Sequence, residues 1–336
     1  MRFALANFVA NVRKYIIMTF SMNNEITRLA PSPTGALHLG NARTFVINHL
    51  LAMQNGWKTI FRMEDLDGPR VKIGAADQAI DDLRWLGITW QDGVLYQSDR
   101  TQKYLNALEY LKKQNAVYPC VCSRKDIKLA ASAPHIEDHI RIYPGSCYKR
   151  FSSESDAVSQ TGRPVAWRLR VTSEPVEFID NFAGKQSVNL ASEVGDFVVF
   201  RNEGLASYQL AVVVDDHDAN VTQIVRGDDL LDSAARQIFL RKALGFNNKI
   251  TYTHLPLVVG EDGFRLAKRH GDSRIAEYRK RGISPERILG MIAFLSGQTE
   301  QLKEISIDDL LEIFDYEKIP KTKAVFTKDH ETFLLN

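Results

Sequence analysis

Cysteine is scarce in this chain. Three occur in 336 residues, and the odd count rules out a fully paired disulfide framework. Long apolar runs are missing too. No uninterrupted stretch approaches the ~20 residues that a membrane-spanning helix needs, so no membrane association is expected. Residues 1–21 carry Arg13 and Lys14 between short apolar runs, and Asn7 and Asn11 break the first of these. No small-residue cleavage site follows, so a secretory signal is a poor reading. Residues 1–23 are expected to be an N-terminal extension, either sequence upstream of a true start at Met18 or Met22 or a genuine amphipathic segment. Strong charge of one sign is absent: 43 Lys and Arg against 41 Asp and Glu leave a net charge of +2. Global attraction to nucleic acid is therefore not the main signal. Low-complexity tracts and internal repeats are absent as well. What is present, 44% hydrophobic and 25% charged residues, suits a globular chain that buries a full core in one large or two modest domains.

Two distant segments suit one nucleotide site. The first is Arg28-Leu-Ala-Pro-Ser-Pro-Thr-Gly-Ala-Leu-His38-Leu-Gly40-Asn41. It reads as a strand from Ile26 to Ala30, a Pro/Gly loop, then a helix from Ala42 to about Gln54. A helix N-terminus presents N–H groups and partial positive charge to phosphates. Gly35 and Gly40 permit tight turns and close backbone approach, and His38 adds a ring donor. The second segment, Arg265-Leu-Ala-Lys268-Arg269, is a basic loop whose Lys268 can neutralise charge moving onto phosphates. Either segment alone is weak, since such runs are usually plain loops or solvated faces.

Strand ends supply an acid and two arginines. Arg62-Met-Glu64-Asp65-Leu-Asp67-Gly-Pro-Arg70 follows a strand starting near Trp57. Glu64 can hold an ammonium group through a charge-assisted hydrogen bond. Tyr208 to Asp216 reads as a buried strand ending in acids, because parallel strands are continuous apolar runs. Thr222 to Arg226 reads as another strand, with Gly227 beyond it. Arg28 and Arg226 then end two strands of one sheet, and two converging guanidiniums suit a dicarboxylic amino acid.

All three cysteines fall in one short segment, Cys120-Val-Cys122 followed by Tyr143-Pro-Gly-Ser-Cys147. In a reducing compartment such a cluster points to metal, and structural zinc takes four ligands in a tetrahedron. Three thiols leave one place open. Imidazole is the commoner ligand, which favours His139 or His135 over a phenol; three unrelated core cysteines are the alternative.

In combination the two nucleotide segments resemble the signature motifs of the class I aminoacyl-tRNA synthetases, in the wording of the glutamyl branch. Asn41 stands where the general motif has a second His, and Arg265 and Ala267 replace the usual Lys and Ser. The resemblance implies an L-glutamate site built from Arg28, Ala30, Ser32, Glu64, Tyr208 and Arg226. It implies an ATP site at His38, Gly40, Asn41, Lys268 and Arg269, with Mg²⁺ accompanying the ATP and with His38 and Lys268 catalytic. Cys-x-Cys with Tyr-x-x-x-Cys resembles the zinc site of the glutamyl-Q tRNA(Asp) synthetases, short paralogues of glutamyl-tRNA synthetase. So does Leu230 in Arg-Gly-x-Asp-Leu, where the longer enzymes tend to have Trp. That match implies one structural Zn²⁺ on Cys120, Cys122, Tyr143 and Cys147.

The fold expected is α/β: a class I Rossmann-type parallel sheet with an inserted zinc-bearing subdomain and a short C-terminal helical segment. Residues 24–113 form the first half, 114–196 the insertion with short strands at 166–171 and 176–179, and 197–259 the second half. Residues 260–336 hold the lysine loop and helices at 288–295 and 308–314, with no anticodon-binding domain. The resemblance implies ATP-dependent activation of L-glutamate and transfer to the queuosine base of tRNA(Asp), in the cytoplasm. Basic clusters (Arg124, Lys125, Lys128; Lys149, Arg150; Arg279, Lys280, Arg281) are compatible with an RNA path. The rivals are a short synthetase charging a tRNA 3′ end and an inactive RNA-binding module.

Overall fold

The structure is a computed structural model that describes residues 24–123, 125–127, 142–266 and 273–335. The expectations for residues 1–23, Arg124, Lys128, His135, His139, Ala267, Lys268 and Arg269 lie outside those residues. Twelve strands are present among the described residues: β1 (Ile26–Leu29), β2 (Lys58–Met63), β3 (Val94–Tyr96), β4 (Val117–Cys120), β5 (Ala166–Leu169), β6 (Val176–Asp180), β7 (Gly184–Val188), β8 (Phe197–Phe200), β9 (Gln223–Gly227), β10 (Thr251–Leu255), β11 (Val258–Gly260) and β12 (Ala324–Phe326). The helices, in order, are α1 (Leu39–Asn55), α2 (Ala75–Trp85), α3 (Thr101–Lys113), α4 (Glu154–Thr161), α5 (Leu190–Glu193), α6 (Tyr208–Asp218), α7 (Leu231–Ala243), α8 (Ile275–Lys280), α9 (Pro285–Leu295), α10 (Ile307–Ile313) and α11 (Lys328–Leu335).

Seven strands make the main sheet in the order β3-β2-β1-β9-β10-β6-β7. All its pairings are parallel except β6 with β7. The chain runs outward from β1 on one side and from β9 on the other. A crevice therefore opens beyond the carboxyl ends of β1 and β9, where α/β sheets bind ligands.

Helix α1 begins at Leu39, three residues before the expected Ala42. His38 sits at its N-cap with an extended backbone, and Gly56 ends it in the left-handed region at φ +67°, its N–H reaching Ala52 O. Leu39, Val46, Ile47 and Leu50 of α1 share one core with Met291 and Ile292 of α9. On α9 the backbone of residues 303–304 also packs close: a Cβ added at Gly290 would fall 1.9 Å from the Lys303 carbonyl oxygen. The buried Arg43 guanidinium ties α1 to both sides, donating to Pro256 O at 2.7 Å and Ser296 Oγ at 3.0 Å.

Two expectations are corrected. Tyr208 to Asp216 is not a strand but most of helix α6, whose Ser207 cap accepts from Leu210 N–H. Residues 209–216 are all buried, so the segment is apolar on every side and shows no helical period. The division at 196/197 also fails to follow the sheets. Strands β6 and β7, expected in the insertion, extend the main sheet, because Tyr252 of β10 pairs with Asp180. Strand β8, expected in the second half, instead closes a separate three-stranded sheet in the order β4-β5-β8. Its Phe197, Val199 and Phe200 pack in one core with Val117 and Leu169.

Candidate functional site

The crevice is a cleft of about 330 Å³. Arg28, Ala30, Ser32, Gly40, Asn41, Glu64, Tyr208 and Arg226 all line it. Each reaches it from a different local device. Arg28 and Arg226 ride near the ends of β1 and β9. Glu64 follows β2, and its N–H is held by Pro31 O at 3.0 Å. Tyr208 opens α6 and stays partly exposed at the cleft.

Buried guanidiniums require partners, since an isolated charge in the interior is costly. Here helix α6 supplies them. Asp216 takes Arg62 Nη1 at 2.5 Å and lies 3.6 Å from Arg28 Nε. Asp215 accepts from Arg100 Nε at 2.6 Å, Gln97 Nε2 at 2.8 Å and Tyr104 OH at 2.9 Å. Arg62 also reaches Glu64 at 3.1 Å. Burial works against ionising Asp216, but Arg62 and Arg28 outweigh it and hold that carboxyl below its ordinary value. For Glu64 the balance falls the other way: burial raises it above the usual carboxyl range despite Arg62 and Arg28. Two arginines and an acid around one cleft can bind a zwitterion that carries a further carboxylate.

Arg226 has partners of its own. Its Nε donates to His254 Nε2 at 2.9 Å, and its Nη2 reaches Leu230 O at 3.3 Å. Its Nη1 is buried and has no hydrogen-bond partner among the described residues. Just beyond, an added Cβ at Gly227 would meet Asp229 Oδ1 at 2.6 Å and Leu257 at 2.9 Å, so a larger residue there would displace those two side chains.

The N-terminus of α1 faces the same cleft through Gly40 and Asn41. His38 makes no side-chain cap there and the first turn holds no acid; the Leu39 N–H is taken by Ser273 O at 2.9 Å, and the helix end still presents partial positive charge. Neither Gly35 nor Gly40 has a left-handed backbone, and a Cβ on Gly40 would make only ordinary contact with Val258 at 3.6 Å. Gly40 lines the cleft, whereas Gly35 does not. Asn41 Oδ1 accepts from Arg265 Nη2 at 3.0 Å, and Arg265 Nη1 pairs with Asp229 at 2.6 Å. His38 lies half-buried with Nδ1 3.1 Å from Ser273 Oγ.

A second cluster sits in the insertion. The sulfurs of Cys120, Cys122 and Cys147 lie within 4.8 Å of one another. The Tyr143 hydroxyl joins them, 3.4 Å from Cys120 Sγ and 3.7 Å from Cys122 Sγ. A tetrahedral zinc with bonds of ~2.3 Å to sulfur and ~2.0 Å to oxygen requires S···S near ~3.8 Å and S···O near ~3.5 Å. The two tyrosine distances match that spacing, while Cys122 and Cys147 sit tighter, with their sulfurs 3.4 Å apart. Arg168 backs them: its Nε lies 3.2 Å from Cys120 Sγ and its guanidinium stacks 3.7 Å over the Tyr143 ring.

Sequence reasoning missed Asp180, His254, Arg168 and Arg43. Each is a buried polar residue; Arg43 and His254 sit inside largely apolar elements, which is the one signal that marks those two.

The model of class I tRNA synthetases (E and Q), catalytic domain, matches residues 26–331. The chain belongs to this family of ligases. It is 42% identical to a glutamyl-Q tRNA(Asp) synthetase of Rhodopirellula baltica, over 90% of this chain and 97% of the relative. A protein of the same name from Symbiobacterium thermophilum is 43% identical over 88% of this chain and 93% of its own length. Among solved structures, a glutamate-tRNA synthetase of Elizabethkingia anophelis superposes with a TM-score of 0.79 at 26% identity, over 93% of this chain and 70% of that one.

Proposed function

We propose that the protein activates L-glutamate with ATP and transfers it to the queuosine base of tRNA(Asp). The observation that carries the first half is the convergence of Arg28, Glu64 and Arg226 on one cleft at the N-terminus of α1. Glu64 takes the α-ammonium group, and Arg28 and Arg226 take carboxylate oxygens, with Ala30, Ser32 and Tyr208 closing the pocket. The glutamate α-carboxylate attacks the α-phosphate of ATP and pyrophosphate leaves. Mg²⁺ travels with the ATP. Gly40, Asn41 and the α1 dipole receive the nucleotide, and His38, Lys268 and Arg269 are assigned by motif to the phosphates. Positioning and preorganised charge do most of the work, with no covalent enzyme intermediate. Cys120, Cys122, Tyr143 and Cys147 hold one structural zinc, which suits the reducing cytoplasm.

The acceptor rests on the names of the relatives in Rhodopirellula baltica and Symbiobacterium thermophilum. Charging of a tRNA 3′ end is the second reading, favoured by 35% identity over 92% of this chain to a glutamate–tRNA ligase of Aquifex aeolicus. Glutamate-dependent pyrophosphate exchange, run with and without tRNA, tests activation. Exchange with another amino acid and none with glutamate would overturn it.

A further inference from the structure

Arg226 and His254 stand directly opposite each other on the adjacent parallel strands β9 and β10. Arg226 Nε donates to His254 Nε2 at 2.9 Å, so that nitrogen carries no proton. The proton of a neutral ring must then sit on Nδ1, which lies 2.6 Å from Asp180 Oδ2. Both side chains, His254 and Asp180, are fully buried. Asp180 is itself fixed, because its Oδ1 accepts the N–H groups of Phe182 at 2.9 Å and Ala183 at 2.8 Å. Burial, helped by the Arg226 charge, keeps the ring below its ordinary pKa and neutral. The chain Asp180–His254–Arg226 therefore has one proton arrangement. It pins the Nε edge of the guanidinium and leaves the buried, unpartnered Nη1 of a cleft-lining residue for something else to satisfy.

We propose that Asp180 and His254 are positioning residues that fix the guanidinium plane of Arg226 for the substrate carboxylate. Neither residue lines the cleft. Asp180 comes from β6, within the stretch expected to be an insertion, so that stretch braces the amino-acid site as well as carrying the thiol cluster. A geometry held by outer hydrogen bonds in this way is what keeps a bidentate contact productive. The proposal rests on the reading of the cleft as a glutamate site.

Asp180→Asn is the sharpest variant because it keeps size. The Asn oxygen stays on the Phe182 and Ala183 N–H groups, so its NH₂ turns to His254 Nδ1. The ring must then accept at Nδ1 and carry its proton on Nε2, against the Arg226 Nε–H. Donor faces donor, and the guanidinium turns away. In pyrophosphate exchange the KM for glutamate should rise about tenfold or more, while the KM for ATP stays within about twofold. A second pair guards against misfolding: His254→Gln keeps an acceptor within reach of Arg226, and His254→Phe does not. The Gln variant should recover several-fold of the glutamate KM relative to Phe. An unchanged glutamate KM in Asp180→Asn, or equal losses in Gln and Phe, would overturn the proposal. So would an ATP KM that rises in step. Absence of glutamate-dependent exchange in the wild type would refute the substrate reading itself.

Discussion

Asp216→Asn tests the electrostatic frame of the site. Asp216 is 2% exposed and faces two guanidiniums, Arg62 at 2.5 Å and Arg28 at 3.6 Å, exposed 1% and 4%. Asn keeps the volume and one acceptor oxygen but removes the charge. Two buried cations are then left with Glu64 and, for Arg62, the more distant Asp215 at 4.0 Å. Breaking a buried ion pair from one side typically costs about 3–5 kcal/mol. Unfolding entropy near ~2.1 cal/mol/K per residue gives ~0.7 kcal/mol/K for a chain of 336 residues. The expected fall in melting temperature is thus about 4–7 °C, read by scanning calorimetry. Arg62→Met in the same background removes one stranded cation. The double variant should therefore be more stable than the sum of the singles by about 1–3 kcal/mol. A melting temperature that moves by less than about 1 °C, or strict additivity of the two changes, would show that Asp216 does not hold these arginines in place.

Arg226→Ala should lower kcat/KM for glutamate activation at least about tenfold with the fold intact, because a charge-assisted pair is worth about 1.5–3 kcal/mol; unchanged exchange kinetics would remove Arg226 from the site. Protein purified without chelators should carry about one zinc per chain, and Cys147→Ser should lose it, as elemental analysis would report. Retention of full zinc by Tyr143→Phe, with loss in His139→Ala, would reassign the fourth ligand. His49 is buried and burial pushes its ring down to about 4. The unfolded chain takes up that proton near ~6.5, so stability from the neutral ring is complete above that pH and is lost as pH falls toward 4, by about 3 kcal/mol. His49→Leu should flatten that part of the pH–stability curve, measured by denaturant unfolding, and a curve parallel to the wild type would contradict it.

The charged ends of the strands were legible because they sit where a parallel strand meets the cleft. Arg28 and Arg226 announce themselves as cations closing apolar strands, and Glu64 by its place after β2. Helix α6 was not legible as a helix. Residues 209–216 are buried all round, and periodicity cannot separate such a run from a buried strand. With that misreading went the role of Asp215 and Asp216, which serve as counter-ions from a helix and not as a strand end. The bond between Asp180 and His254 spans 74 residues, and no local pattern encodes a contact at that separation. The same holds for β6 joining β10. A polar hairpin read as part of an insertion gives no sign of which sheet it will extend. The thiol cluster was legible from spacing, whereas Tyr143 as its fourth donor came only from resemblance. The structure now sets its hydroxyl 3.4 Å from Cys120 Sγ.

The account stands or falls on where the glutamate goes. Radiolabelled glutamate, ATP and the protein should be incubated with queuosine-containing tRNA(Asp), and the product cleaved by nuclease into anticodon and 3′-terminal fragments. The account predicts label on the anticodon fragment, and none on the same tRNA from cells unable to make queuosine. Label leaving with the 3′-terminal adenosine would make the protein a charging synthetase and contradict the acceptor assignment; no label on either fragment would contradict the transfer altogether.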